Sequence, residues 1–405
     1  MNKKISLGIT ISLIAIACAV TFVVTMTVSL NLYNEKIAGV QQREEMNTRL
    51  QEISSFVRSY SLYPIDDEAI KAGVYAGYLD GIADKYARYY TTDEYYYKTM
   101  LESGTMTGIG LETANDGGYA KITSVMEGSP AYDAGLLSGD IITSVNNANV
   151  LEIGYNAAFS QLRYGDEGTK ITFKARRSGE ETEYTLTRSV FEIKSLSTAL
   201  LNNGILYIRI STLNSLSGSQ LTAALGELPE DAAISGYIFD LRDCSSGNYD
   251  SVSELLSPFV SATTLATAAY GNNSSKIIAE TTPDNFTTLP ISVIINEKTG
   301  GSAELIAVTL RDFNGAKLVG AATMGYGTLQ ETRSFGDGTA IDISVAKVTP
   351  EKQESLYDET GIKPEFAVEY AGVAEISPEN YANTYDSQYK KAVEVIISAA
   401  GTAVE

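Results

Sequence analysis

The chain has 405 residues, more than one ordinary hydrophobic core accommodates, so we expect two or three domains. Its formal net charge of −20 disfavours nucleic-acid binding, because a phosphate backbone repels an acidic surface. The sequence has no histidine and two cysteines, which excludes Ser-His-Asp and Cys-His catalysis, His-ligated metal sites and a disulfide framework; we expect no cofactor and no metal.

An uncharged run from Ile5 to Leu30 follows Lys3 and Lys4. As a helix it covers roughly 39 Å, enough to cross a bilayer. Lysines on the short leading side favour a cytoplasmic N-terminus, so we predict a single-pass protein of the cell membrane with its C-terminal part extracytoplasmic. Two alternatives stay open: cleavage of this segment, and lipidation, since the tetrapeptide AIAC at residues 15–18 weakly resembles a lipoprotein box.

The stretch from Tyr33 to Tyr60 is polar, with apolar residues at a spacing typical of one helix face: Met46, Leu50, Ile53 and Val57. We favour an amphipathic helix packed on the ectodomain over a coiled-coil stalk, and a homodimer remains possible. Asp66 to Tyr90 is also predicted to be helical. The tyrosine-rich turn from Tyr86 to Tyr97 is interpreted as packing this helical region on the domain that follows.

Two patterns of secondary structure follow. Ser103 to Arg188 is rich in predicted strands, with one helix near Ala157 to Leu162. From Ile205 onwards, the strands ILYIRIS, GYIFDLR, ISVIINE and AKLVGAA alternate with helices near residues 219–228, 251–260 and 303–312. This alternation predicts an α/β layer with several parallel strands. The segment DSQYKKAVEVIIS near the end predicts a closing helix.

Several segments resemble one family. GIGLET, which begins at Gly108, and GSPAYDAGLLSGDIITSVNN resemble a PDZ domain of bacterial proteases. In the same order along the chain, FDLRDCSSGNYD, NEKTGGSAE, MGYGTLQ and TGIKPEFAVE resemble motifs of the carboxyl-terminal processing (tail-specific) peptidases, which use a Ser-Lys dyad. The resemblance covers roughly residues 57 to 395.

The resemblance implies a multidomain α+β and α/β fold. It begins with a transmembrane helix or signal anchor (1–32) and a juxtamembrane helix with a helical cap (33–102). A PDZ β-barrel-like domain (103–191) follows, then an α/β protease-like core with a mixed sheet (192–371), and finally a C-terminal tail and helix (372–405).

The family binds free C-terminal tails on its PDZ domain, which makes protein tails or peptides the implied partners. The loop expected to bind the terminal carboxylate comprises Gly108, Ile109, Gly110 and Leu111. Backbone N–H groups make this contact, so it does not depend on the side chains that the loop carries.

The resemblance also implies where catalysis would occur. The nucleophilic serine falls on Gly301 and the lysine base on Tyr326, whereas the glutamine that orients the base is retained as Gln330. The loop that supplies oxyanion N–H groups falls on Ser246 and Gly247. Glycine cannot form an acyl-enzyme, and a phenol with a pKa near ~10 is a poor general base, so we expect an inactive peptidase.

The alternative is an active serine endopeptidase with a displaced dyad, such as Ser302 with Lys298 or another nearby lysine. Ser302 begins a predicted helix, where serine most often serves as a cap or a first-turn residue. Lys347 matches a basic position of the family without a catalytic role. Cys244 lacks a histidine to activate it and is interpreted as a small buried filler.

Overall fold

The computed structural model describes residues 7–201, 203–245, 248–282, 286–352, 360–371 and 386–402. These residues divide into two units, Met1–Val74 and Tyr75–Glu405.

The first unit is dominated by one helix, α1 (Leu7–Tyr60), which is 54 residues long and continuous. Within it, Ser12–Leu30 has a mean hydropathy of 2.4 and no buried residues, so it is long and apolar enough to cross a membrane. The later part of α1 carries the predicted apolar face, on which Met46 and Ile53 are exposed.

The remaining helices are short, and α9 continues into a π-helical turn at Leu310–Asn314. They are α2 (Asp67–Asp80), α3 (Thr92–Ser103), α4 (Pro130–Asp133), α5 (Val150–Ile153), α6 (Tyr155–Arg163), α7 (Ser217–Gly226), α8 (Asp250–Leu256), α9 (Ser302–Thr309) and α10 (Ser387–Thr402). The prediction of a helix over Asp66–Tyr90 is wrong in its second half. Helix α2 ends before Gly81, and the chain then turns into a strand that pairs with the core.

The strands that the structure describes form four sheets in the second unit. They are β1 (Arg88–Tyr90), β2 (Thr105–Gly108), β3 (Leu111–Asp116), β4 (Tyr119–Val125), β5 (Ile141–Val145), β6 (Ala148–Asn149), β7 (Lys170–Arg177), β8 (Glu180–Thr187), β9 (Ser189–Glu192), β10 (Leu196–Leu200), β11 (Ile205–Ile210), β12 (Gly236–Asp240), β13 (Thr263–Tyr270), β14 (Ser275–Thr281), β15 (Ile291–Ile295), β16 (Lys317–Gly320), β17 (Thr328–Ser334), β18 (Ala340–Pro350) and β19 (Phe366–Ala367).

The β-rich region folds as a six-stranded antiparallel sheet in the order β3-β4-β5-β7-β8, with β6 paired to β5. Strand β3 lies at one edge of this sheet. Ile122, Ile142, Ile171 and Phe173 are among the buried residues of its core, and Ala158 and Leu162 of α6 join them. Alternation of buried and exposed positions along β7 is the pattern expected of a sheet with one covered face. A separate pair, β2 and β9, leads into and out of this domain.

The α/β region contains a six-stranded sheet in the order β10-β11-β12-β15-β16-β19. Strands β11, β12, β15, β16 and β19 run parallel, and β10 is antiparallel to β11. The main core lies on one face, against α7, α8 and α9, and a smaller core lies on the other face, against α10. Every residue of β12 and β15 is buried, as expected for strands covered on both faces. The predicted mixed α/β architecture is confirmed.

A further sheet of five strands was not predicted. Its order is β1-β18-β13-β14, with β17 also paired to β18. The pairs within it are antiparallel, and β18 is 11 residues long. This sheet carries Gln330 on β17 and Ser344 on β18, so it forms one side of the candidate site described next.

Candidate functional site

Two loops meet where neighbouring parallel strands end. Strand β12 ends at Asp240 and β15 at Ile295, so the segments that follow them emerge at the same edge of the sheet. Asn296 donates a hydrogen bond to Asp243 Oδ1 (3.1 Å) and accepts one from the Asp243 N–H (3.0 Å). The Gly300 N–H donates to the carbonyl oxygen of Cys244 (2.9 Å). These bonds join the FDLRDCSSGNYD loop, which follows β12, to the NEKTGGSAE loop, which follows β15.

Gly301 occupies a sharp turn between strand β15 and helix α9. Its backbone angles are φ 61° and ψ −123°, a conformation that costs a residue with a side chain about 1–3 kcal/mol. Helix α9 begins at the next residue, Ser302, which is fully buried. The position predicted for the nucleophile therefore lies in a turn that glycine adopts without strain, and the side chain of Ser302 follows it on the helix.

A buried carboxylate links the two positions expected to carry the dyad. Glu304 accepts hydrogen bonds from the backbone N–H groups of Gly301 (3.0 Å), Gly325 (2.8 Å) and Tyr326 (2.7 Å). The Thr323 hydroxyl is a fourth donor. Burial raises the pKa of the Glu304 carboxyl above its usual value, and the four donors oppose that shift. Glu304 thus holds the start of α9 against the glycine-containing loop MGYGTLQ.

The Tyr326 ring fills the position expected for the base. It packs on the ring of Tyr86, with 3.8 Å between centroids, and the Tyr86 hydroxyl donates to the carbonyl oxygen of Gly325 at 3.4 Å. Burial, together with the charge of Asp342, raises the pKa of the Tyr326 phenol. The phenol therefore stays protonated at neutral pH and cannot accept a proton from a hydroxyl.

Gln330 directs its amide towards two hydroxyls. Its Nε2 donates to Thr328 Oγ1 (2.6 Å) and to Ser344 Oγ (3.2 Å), and Ser344 in turn donates to Asp84 (3.0 Å). The predicted orienting glutamine is therefore part of a polar cluster between β17, β18 and the turn before β1. Ser246 and Gly247, predicted to supply oxyanion N–H groups, lie outside the described residues.

No lysine whose burial is described is fully buried, although the side chain of Lys98 is only 17% exposed. Lys298 is 67% exposed in its side chain and lies 3.7 Å from Asp243 Oδ1. Lys347 is exposed on β18. Among the same residues, no group of three or more Cys, Asp or Glu side chains is placed to hold a metal ion.

The segment from Gly108 to Leu111, predicted to bind a terminal carboxylate, connects strand β2 to strand β3. The carbonyl oxygens of Ile109 and Gly110 accept hydrogen bonds from Ala131 and Met126, both at 2.9 Å. In the described part of the chain, the N–H groups of Ile109 and Gly110 donate to no acceptor, although both residues are buried. A Cβ on Gly110 would lie 2.1 Å from the Ser129 Cβ, which explains the glycine at this position.

Strand β3 and helix α6 pack side by side beyond this loop, and the family resemblance places the tail-binding groove between them. Near the loop, the Tyr97 hydroxyl donates to Glu112, and the Arg163 guanidinium lies 3.5 Å from the centre of the Tyr97 ring. Burial and the bond to Glu112 raise the pKa of the Tyr97 phenol. The tyrosine-rich turn therefore packs on this domain, as interpreted from the sequence, and through Tyr86 it also packs on the core.

Sequence reasoning placed Glu304 at the end of the motif NEKTGGSAE without giving it a role, and it did not identify Tyr86 or Asp84 as parts of this site. The sequence did contain a signal for the role of Glu304, because an acidic residue at the third position of a helix commonly accepts a hydrogen bond from the N–H of the residue that precedes the helix. Tyr86 and Asp84 approach Tyr326 and Ser344 from more than 200 positions away in the chain. Nothing local in the sequence indicates such a contact.

Comparisons with known proteins agree with this architecture. Peptidase family S41 matches residues 204–368, and the PDZ domain family matches residues 121–177. The chain is 25% identical over 389 residues to the carboxy-terminal processing protease CtpA of Bacillus subtilis (strain 168), covering 96% of this chain and 82% of that relative. It is 24% identical to a probable CtpA-like serine protease of Staphylococcus aureus (strain N315), with 98% and 80% covered.

Among solved structures, a photosystem II D1 C-terminal processing protease aligns with a TM-score of 0.44 and 20% identity, covering 78% of this chain and 86% of that one. The S41 match spans the parallel sheet and both candidate loops, and the PDZ match lies in the antiparallel domain before it. The chain is therefore similar, over most of its length, to CtpA-type carboxyl-terminal processing proteases, and its residues 204–368 match peptidase family S41.

Proposed function

We propose that this protein is a membrane-anchored, extracytoplasmic and catalytically inactive member of its family that binds C-terminal protein tails on its PDZ domain. The observation that carries the proposal is the pair of buried N–H groups at Ile109 and Gly110, which donate to no acceptor in the described chain. Buried donors of this kind are costly unless a ligand satisfies them, and a terminal carboxylate supplies two oxygens to do so.

The inactivity rests on the chemistry of two positions. Gly301 offers no atom to attack a carbonyl, and the Tyr326 phenol is protonated at neutral pH. A lysine base needs a desolvated setting to lose its proton, and no described lysine is buried. The remaining scaffold, including the loop held by Glu304, serves in this proposal as a platform for the captured protein.

The location rests on Ser12–Leu30 and on Lys3 and Lys4 before it. An apolar helix of 19 residues spans the hydrocarbon core of a bilayer, and the flanking lysines favour the cytoplasmic side. The PDZ domain and the α/β core then lie outside the cytoplasm.

Binding of tails is tested with the full-length chain in detergent micelles and fluorescein-labelled ten-residue peptides that end in Ala, Val, Leu or Phe. We expect binding to at least one of these peptides. Amidation of its C-terminus should weaken binding about 10- to 100-fold, because charge-assisted hydrogen bonds to the carboxylate are lost. Fluorescence anisotropy measures both forms. Equal affinities for the free acid and the amide would contradict capture of the carboxylate.

Hydrolysis is tested with an unfolded protein that carries a fluorescent C-terminal tag. We expect no turnover above buffer and no fluorophosphonate labelling of any serine, since loss of a catalytic unit costs on the order of a million-fold in rate. The Ser302→Ala chain is the control. Robust cleavage that disappears in this control would overturn the proposed inactivity and support the alternative, an endopeptidase with Ser302 as a displaced nucleophile.

A further inference from the structure

A tyrosine joins the two walls of the PDZ groove. The Tyr155 hydroxyl, on the first residue of α6, donates a hydrogen bond of 2.7 Å to the carbonyl oxygen of Thr113 on β3. The same hydroxyl lies 3.4 Å from the Thr113 Oγ1. The Tyr155 ring packs on Phe159, one turn further along α6, with 5.8 Å between centroids. The bond therefore crosses from the helix wall of the groove to its strand wall.

Thr113 belongs to the part of the groove that an extended tail would use. Strand β3 is the edge strand of its sheet, with β4 as its only neighbour among the described strands. A tail added beside β3 must pair its own N–H groups with carbonyl oxygens of this edge. Thr113 lies two residues beyond Leu111, where the carboxylate loop ends, so its carbonyl would face the residues just before the terminal one.

We propose that Tyr155 is a latch that closes the tail groove, and that a tail must displace its hydroxyl to pair with Thr113. This inference rests on the proposed binding of tails. In the free protein the hydroxyl satisfies a carbonyl that would otherwise face an empty groove. In the bound protein the tail's N–H takes this carbonyl, and the hydroxyl turns to solvent. The latch therefore reduces affinity for every tail, so that only tails whose main chain pairs well with β3 bind.

The latch predicts that Tyr155→Phe binds tails more tightly. The substitution removes a hydrogen bond that the free protein makes and the tail-bound protein does not. Affinity for tails should therefore rise about two- to tenfold. Tyr155→Leu, which also lacks the hydroxyl but keeps an apolar side chain beside Phe159, should change affinity in the same direction. Thermal unfolding of each variant checks that the domain remains folded.

The matched control is Tyr184→Phe. Tyr184 lies on β8, at the opposite edge of the sheet, and stacks on Phe173 with 5.7 Å between centroids. Its hydroxyl has no hydrogen-bond partner among the residues that the structure describes. Loss of this hydroxyl therefore removes a tyrosine oxygen from the same domain without touching the groove, and affinity should stay unchanged.

The experiment measures anisotropy of the labelled ten-residue peptides with the full-length chain and these three variants. Tighter binding in Tyr155→Phe and Tyr155→Leu but not in Tyr184→Phe supports the latch. Binding by the natural chain with equal or weaker binding in the Tyr155 variants overturns the latch and leaves tail capture intact. Failure of every form, including Tyr155→Phe, to bind any peptide overturns both the latch and the proposed function.

Discussion

Replacement of Asp240 by asparagine is expected to lower the free energy of unfolding by about 3–5 kcal/mol. The Asp240 carboxylate is fully buried at the end of β12 and accepts hydrogen bonds from Tyr207 (2.6 Å), Arg209 (2.8 Å) and Arg242 (2.9 Å). Arg242 is 4% exposed, so loss of the carboxylate charge leaves a buried guanidinium whose remaining ion-pair partner among the described residues is Asp386, at 2.8 Å. Urea unfolding followed by circular dichroism measures the loss.

An exposed ion pair provides the matched control for this variant. Glu127 lies 2.6 Å from Lys194, and both side chains are more than half exposed. Because solvent screens such a pair, Glu127→Gln should cost less than about 1 kcal/mol. A loss in Asp240→Asn no larger than that in Glu127→Gln would contradict the importance of the buried cluster.

Asp240 also makes stability depend on pH. Burial alone would raise its pKa, but the charges of Arg242 and Arg209 outweigh that effect and hold the pKa below its usual value. The folded state therefore releases this proton more readily than the unfolded state. Its contribution is present above the unfolded pKa of about 3.9 and is lost as pH falls through the folded pKa. The difference between the natural chain and Asp240→Asn should shrink on acidification below about pH 4.

Replacement of Glu304 by alanine should cost roughly 3 kcal/mol or more, because three backbone N–H groups, two of them buried, lose their acceptor at about 1–3 kcal/mol each, partly offset by relaxation. These donors belong to Gly301, Gly325 and Tyr326, so the variant should also free the loop that ends at Gly301 from the loop that contains Gly325 and Tyr326. Urea unfolding gives the first effect, and faster hydrogen exchange in both loops gives the second.

Glu331→Ala is the control for this substitution. Glu331 lies on β17, a few residues beyond Tyr326, and its side chain is exposed. Its removal should change stability by no more than about 0.5 kcal/mol. If Glu304→Ala unfolds at the same urea concentration as Glu331→Ala, then Glu304 does not hold the loops together.

The sequence was sufficient for those features that each segment encodes by itself. The uncharged run before Leu30 predicts a long apolar helix, and the apolar strands after Ile205 predict the parallel layer that β11, β12, β15 and β16 form. Such patterns work because the order of a segment's own residues shows whether the segment is apolar throughout, as a buried strand or a membrane-spanning helix must be. The same order of residues carried the family resemblance, including glycine at 301 and tyrosine at 326.

Only the tertiary structure decided which distant residues complete the site. The sheet built around β18, the Tyr86 ring on Tyr326, and the bond from Tyr155 to Thr113 all join segments whose own sequences contain no sign of the partner. The helix predicted up to Tyr90 fails for the same reason, since pairing of β1 with β18 outweighs local helical preference. A local pattern records that a side chain is buried or polar, whereas its partner is fixed by how the whole chain packs.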